Sequence, residues 1–184
     1  MSESAETANH EKQPEEYPPV VNPKEINTFE DLEGKYLTFV LDKEEYGTGI
    51  LKIKEIIGML PVTTVPRTPE FVKGVINLRG KVIPVIDLRL RFGMIAAEYS
   101  ERTCIIVVEI EKQSCTVMIG IVVDSVSEVL SIKAEEIEDV PAFGVNLNTD
   151  YISGIAKIGE SVKILLDIDR VLSADEVNQL NKAV

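Results

Sequence analysis

The chain is almost without histidine. Its 184 residues hold one, His10, and no tryptophan. His10 stands in a polar, acidic stretch, so the usual acid–base side chain is missing from everything downstream of it. No Ser-His-Asp or Cys-His constellation can be assembled there, and a phosphoaccepting histidine domain is disfavoured on the same ground. Neither GxGxxG nor GxxxxGK[ST] occurs, which removes the common glycine-rich phosphate cradles. The two cysteines, Cys104 and Cys115, lack CxxC spacing and point to neither zinc nor redox chemistry. Cys104 lies in an apolar run, where a thiol acts as a small hydrophobe. No apolar run approaches the ~20 residues that span a bilayer, so no direct membrane insertion is expected. Residues 1–10 are too polar for a secretory signal. The expectation is a soluble cytoplasmic protein without cofactor or metal.

Positive charge is also scarce. Lys and Arg number 19 against 31 Asp and Glu, a net charge of -12. Residues 1–34 carry nine acids and two bases, whereas the remaining 150 carry 22 and 17. Without a basic face, nucleic-acid binding is not the expected activity. The acidic pairs Glu44-Glu45 and Glu135-Glu136 sit in polar turns and read as solvated surface. Nothing places two carboxylates in one cleft, although a carboxylate hydrolase is not removed by sequence alone.

What the sequence has is β-branched apolar residues in short runs. Apolar residues make up 45%, mostly Val, Ile and Leu. Residues 1–32 read as a flexible acidic tail interrupted by Pro14, Pro18, Pro19 and Pro23. Strand patterns follow at 36–41, 46–51, 53–64, 72–78, 81–88, 103–110, 116–123, 126–132, 152–158 and 161–168. Pro84 marks its strand as an edge or a bulge. Residues 89–92 suit one helical turn ended by Gly93. Residues 173–184 read as a helix, opened by the capping box Ser173-x-x-Glu176. The pattern is all-β, a sandwich or small barrels.

An internal repeat narrows the choice. Residues 74–88 align without gaps on 154–168, so Asp87 meets Asp167. Residues 53–57 align on 126–130, so Ile53 meets Val126, Glu55 meets Glu128 and Ile56 meets Val129. The offsets are 80 and 73, which keeps the order of elements while the loops differ. Two similar β-subdomains within residues 33–172 are inferred.

The segment from Gly74 to Arg89 contains G-x-x-N-L-R-G-x-x-x-P-[IV]-[IV]-D-L-R, carried by Asn77, Leu78, Arg79, Gly80, Pro84, Asp87, Leu88 and Arg89. This resembles the signature of the CheW family. Similar stretches run from Tyr46-Gly47 to Lys54-Glu55-Ile56, over Gly120 to Asp124, and over Tyr151 to Gly154. The resemblance covers residues 35–172. It implies two intertwined SH3-like five-stranded β-barrel subdomains related by a pseudo-two-fold axis, plus a C-terminal helix. It also implies a non-enzymatic chemotaxis adaptor with two partners. One is the regulatory domain of the histidine kinase CheA, and the other is the cytoplasmic hairpin tip of a chemoreceptor.

The resemblance assigns residues to both surfaces. Arg79, on a turn, reads as a solvated arginine or as a planar fork for a carboxylate, with Glu55 its partner or neighbour. Together with Ile53, Val126, Val129 and Gly154 they form the expected receptor groove. The apolar members read otherwise as ordinary core, and Gly154 as a strand bulge. Phe143, Pro141 and Gly74 form the expected kinase contact. Relatives carry an acid just before the aromatic, whereas this chain has Ala142. Arg89 and Arg91 read as a solvated face, and Gly80 as the residue that meets the turn's backbone demand. A detached regulatory module of another two-component system is the related alternative. A small β-barrel hydrolase is the alternative from a different class.

Overall fold

The computed structural model describes residues 29–113, 115–141 and 149–182. Among them the apolar runs form strands β1 (Gly34–Leu41), β2 (Glu44–Gly49), β3 (Ile53–Gly58), β4 (Val72–Leu78), β5 (Lys81–Asp87) and β6 (Cys104–Lys112). The chain continues through β7 (Cys115–Val123), β8 (Ser125–Ile132), β9 (Ile137–Glu138), β10 (Ile152–Ile158) and β11 (Ser161–Leu166). Three α-helices, α1 (Phe29–Leu32), α2 (Leu88–Arg91) and α3 (Ala174–Lys182), and three 3-10 turns at Ile50–Lys52, Ala134–Glu136 and Ile168–Arg170 complete the elements of the described residues.

The strands form two sheets. Sheet I has the order β8-β1-β2-β11-β10-β9, and sheet II has β3-β6-β7-β5-β4. The repeat is present in their pairing. In sheet II, β5 runs parallel to β7 with Val85 opposite Gly120. In sheet I, β11 runs parallel to β2 with Leu165 opposite Gly47. The first residues differ by 80 and the second by 73, the offsets found in the sequence. Both hairpins slip register at their first strand, between Val72 and Gly74 and between Ile152 and Gly154. The Asp87 amide donates to the Phe71 carbonyl at 2.8 Å, and the Asp167 amide to that of Tyr151 at 2.8 Å.

The two halves are interlaced. β3 follows the sheet I hairpin in sequence but pairs with β6 of sheet II. β8 follows the sheet II hairpin but pairs with β1 of sheet I. A shared core of Leu37, Phe39, Ile106, Val108, Ile119 and Ile121 lies between the sheets, with Val177 and Leu180 of α3 joining it. The capping box of α3 is formed: the Ser173 amide donates to Glu176 Oε2 at 2.7 Å, and the Glu176 amide to Ser173 Oγ at 3.2 Å.

Some details differ from the sequence reading. Sheet I has a sixth, two-residue strand, β9, whose counterpart in sheet II is a single bridge from Thr63 to Val75. The strand expected over 53–64 ends at Gly58. β5 is an inner strand, not an edge. Pro84 is accommodated because pairing with β7 begins only at Val85, so its missing N–H costs no bond on that side. Within the expected tail, residues 29–32 form a helical turn, and Leu32 packs on the cluster around Tyr36 and Ile137. Residues 1–28 and Phe143 lie outside the described residues.

Candidate functional site

The β4–β5 hairpin turns through Arg79 and Gly80, both left-handed, at φ 52° and 85°. Such a pair matches the twist of the flanking strands. Arg79 therefore shares the backbone demand that the sequence assigned to Gly80 alone, and a non-glycine residue pays about 1 kcal/mol for it. Asn77 Oδ1 accepts from the Gly80 amide at 2.8 Å and fixes the turn.

The turn points the Arg79 guanidinium at Glu55 of β3. Arg79 Nη1 donates to Glu55 Oε2 at 2.8 Å, and Nη2 donates to Oε1. The contact is a bidentate fork, with the Arg79 side chain 73% exposed and that of Glu55 26%. The hydrogen bond from Arg79, aided by its charge, holds the Glu55 carboxyl below its ordinary range against a smaller effect of desolvation. Beneath the pair opens a cavity of about 280 Å³ lined by Leu78, Ile83, Val107 and Met118, with Lys54 and Lys81 also at its wall.

The other expected groove residues are not gathered here. Ile53 and Val126 pack against the shared core between the sheets. The register slip between Ile53 and Glu55 separates them: Ile57, beyond it, packs against the sheet II cluster, and Glu55 lines the cavity. Val129 is 50% exposed and Ile56 44%. Gly154 is buried, and a Cβ there would lie 2.8 Å from Ile137 Cγ2. Of the expected kinase contact, Pro141 is exposed, while Gly74 is buried beneath Thr63.

Arg89 and Arg91 do not form a solvated face. Arg89 Nε donates to Asp124 Oδ1 at 2.8 Å and Nη2 to Oδ2 at 2.6 Å, with the arginine side chain 14% exposed. Asp124 Oδ2 also accepts from the Asp42 amide at 2.7 Å, tying sheet I to the end of the β5 strand. Burial raises the Asp124 carboxyl, but the bonds from Arg89 and Asp42 and the arginine charge lower it further, below its ordinary range. Arg91 Nε donates to the Val171 carbonyl at 2.7 Å, and its Nη2 bonds Glu176 at 3.2 Å. The opposite crossing is held by Asp169, at the position equivalent to Arg89. Its Oδ1 accepts from the Glu111 amide at 2.7 Å, and its Oδ2 pairs with Lys52 at 2.8 Å. The two crossings thus have opposite polarity, which runs of surface charge in a sequence do not reveal.

A cavity of about 680 Å³ beside Phe92 and Tyr151 holds one carboxylate, Asp150, and one of about 470 Å³ beside α3 also holds one, Glu176. Neither supplies the paired carboxylates of a hydrolase. Among the described residues, no group of three or more His, Cys, Asp or Glu is placed to hold a metal ion. No helix among them is long and apolar enough to cross a membrane.

A family model of the CheW-like domain matches residues 35–176. The chain is 45% identical to the chemotaxis protein CheW of Klebsiella aerogenes over 143 residues, covering 78% of this chain and 84% of that one. It is 32% identical to the chemotaxis protein CheW of Treponema pallidum over 150 residues, covering 82% and 88%. The crystal structure of the scaffolding protein TtCheW from Thermoanaerobacter tengcongensis superimposes with a TM-score of 0.68 at 37% identity, covering 78% of this chain and 95% of that one. The two interlaced sheets, the Arg79 hairpin and these likenesses agree, and the chain belongs to the CheW family of chemotaxis adaptor proteins.

Proposed function

We propose that the chain couples the cytoplasmic hairpin tip of a chemoreceptor to the regulatory domain of the histidine kinase CheA, in the cytoplasm and by binding alone. The observation that carries the receptor contact is the Arg79–Glu55 fork, displayed on a hairpin turn above an apolar cavity. Two of the five guanidinium N–H groups are engaged with Glu55, so the exposed side chain retains donors for a partner carboxylate. Val129, half-exposed on β8, offers an apolar side chain to a helix, while Ile53 and Val126 pack on the core and Gly154 is buried in β10. Pro141 and Phe143 supply the kinase contact, and Gly74 lets the Thr63 bridge close the far edge of sheet II. The related reading, a detached regulatory module, has no observation in its favour.

The test is the Arg79→Glu variant, titrated separately with a receptor-tip fragment and the kinase regulatory domain. Glu in the left-handed turn bears a cost like that of Arg, so the hairpin is expected to form. Receptor affinity should fall about tenfold or more, because two carboxylates then face the partner. Kinase affinity and melting temperature should hold. Glu55→Arg should act alike, and the double charge swap should recover part of the loss. Unchanged receptor binding by the folded variant would remove the assignment. Phe143→Ala should weaken the kinase more than the receptor. ATP or ester turnover above background, lost on replacing a body carboxylate, would overturn the purely adaptor reading.

A further inference from the structure

Aromatic residues are scarce in this chain, five Phe and five Tyr, yet four of them stand in one row. Phe39 stacks on Tyr46 with ring centroids 6.0 Å apart, Tyr46 lies 5.9 Å from Phe92, and Phe92 stacks on Tyr151 at 4.7 Å. The row starts in the core, where Phe39 is buried, and ends with two half-buried rings at the wall of the cavity of about 680 Å³. Around these outer rings the cavity is lined by Arg91, Lys112 and Arg170 against one acid, Asp150. Arg91 uses Nε on the Val171 carbonyl and Nη2 on Glu176, so its fork keeps further donors. Arg170 pairs with Asp167 at 3.2 Å, and its side chain is still 59% exposed. Neither the receptor contact nor the kinase contact proposed above uses this cavity.

An aromatic wall beside cations is complementary to a segment that combines prolines with acids. Proline-rich segments dock on aromatic-lined grooves and have little chain entropy left to lose on binding. Such a segment stands in the sequence at Glu15-Glu16-Tyr17-Pro18-Pro19-Val20-Val21, within the first 34 residues, which carry nine acids and two bases. The described chain starts close to the cavity. Leu32 of α1 comes within 3.6 Å of the Cβ position at Gly154, three residues along the chain from Tyr151. Three residues of strand span about 10 Å. The eight residues between Val21 and Phe29 can span up to about 26 Å, so the segment reaches the cavity of its own domain. We infer that residues 15–21 of this same chain are the occupant, with Pro18 and Pro19 on the Phe92–Tyr151 wall and Glu15 and Glu16 on the cations. The acidic tail is then a tethered ligand of its own domain, and the tether holds it at a high local concentration against any free competitor.

The experiment uses the full-length chain labelled with fluorotyrosine, whose five 19F signals are assigned by single Tyr→Phe variants. Glu15→Lys, Glu16→Lys, Pro18→Ala and Pro19→Ala are combined in one quadruple variant; all four positions precede α1 and every strand. The Tyr151 signal should differ between this variant and the unmutated chain, and the Tyr99 signal should not. An unmoved Tyr151 signal would overturn the inference. A free peptide of residues 11–23 should bind the quadruple variant and return the Tyr151 signal to its unmutated position. Its affinity for the unmutated chain should be about tenfold weaker or more, because the tethered copy competes. Equal affinity for the two chains, or peptide binding that leaves Tyr151 still, overturns the docking. Arg170→Glu added to the quadruple variant should weaken the peptide about fivefold or more through like-charge repulsion, and an unchanged affinity overturns the pairing of acids with cations. A Tyr151 signal of the unmutated chain that moves on dilution places the segment on a second copy and overturns the assignment within one chain. A Tyr151 shift caused by the kinase regulatory domain and not by the peptide gives the cavity to that partner and overturns the inference.

Discussion

The β4–β5 and β10–β11 hairpins share register, bulge and a closing aspartate, Asp87 or Asp167, whose side chain accepts from the amide two residues on, yet they carry different burdens. Gly74 is left-handed at φ 137°, and a Cβ there would lie 2.0 Å from the Thr63 carbonyl oxygen. Gly154, its equivalent, needs no unusual φ, and a Cβ there would lie 2.8 Å from Ile137 Cγ2 and 3.4 Å from the Glu138 carbonyl oxygen. At the turns the order is reversed: sheet I uses Gly159 for the left-handed position, and sheet II uses Arg79. A repeat thus keeps backbone geometry where packing requires it, and gives up backbone comfort where a surface is needed.

The sharpest way to break the likeness is at the paired glycines. Gly74→Ala adds backbone strain to a clash with main-chain atoms and should cost about 4 kcal/mol or more, or prevent folding. Gly154→Ala displaces a side chain and should cost about 1–2 kcal/mol. Denaturant melts of the two variants measure the difference, and equal losses would contradict it.

The crossings come next. Arg89→Met strips Asp124 of its charged partner and should cost about 2 kcal/mol. Asp169→Asn keeps the acceptor for Glu111 and loses the partly exposed Lys52 pair, at a cost of about 0.5 kcal/mol. The first effect should depend on pH. The Asp124 carboxyl is lowered in the fold, so its contribution is present above the unfolded value of about 3.9. It is lost as pH falls through the lower native value. The stability gap between wild type and Arg89→Met should therefore be full at neutral pH and shrink below about pH 4.

The smallest change in stability is expected at Arg79→Gly, which copies the other hairpin. Relief of the left-handed strain offsets the loss of an exposed, solvent-screened ion pair. The melting temperature should hold or rise slightly while receptor binding falls. A clear loss of stability would make the Arg79–Glu55 fork a structural pair.

Much of this was legible because local rules and the global fold agree. Ser173 and Glu176 announced the start of α3, Gly93 the end of α2, and the offsets of 80 and 73 the repeat. The family motif left Glu55 as either the partner or the neighbour of Arg79, and in the structure the two are paired. The intertwining came from the family resemblance and not from the repeat, since offsets state which strands correspond and not which ones pair. Arg89 was misread because its partners, Asp42 and Asp124, are distant in sequence. Lys163 went unnoticed in an otherwise apolar run. The aligned repeat held the signal, for Lys163 and Glu45 replace two apolar residues with opposite charges. Ile53 and Val126, for which the sequence left both groove and core open, are half-buried and pack against the core between the sheets.

The interlaced sheets also set an order of assembly. Sheet II is built from one unbroken stretch, residues 53–123, and its pairings can close as soon as that stretch exists. Sheet I joins β2 to β11, with Glu45 opposite Lys163 at a separation of 118 residues. Closing so long a loop is entropically costly and slow. During synthesis the first hairpin emerges before sheet II and keeps an open strand edge until β11, 118 residues on at the Glu45–Lys163 pair, is available. The sheet whose first hairpin is made first is therefore finished last.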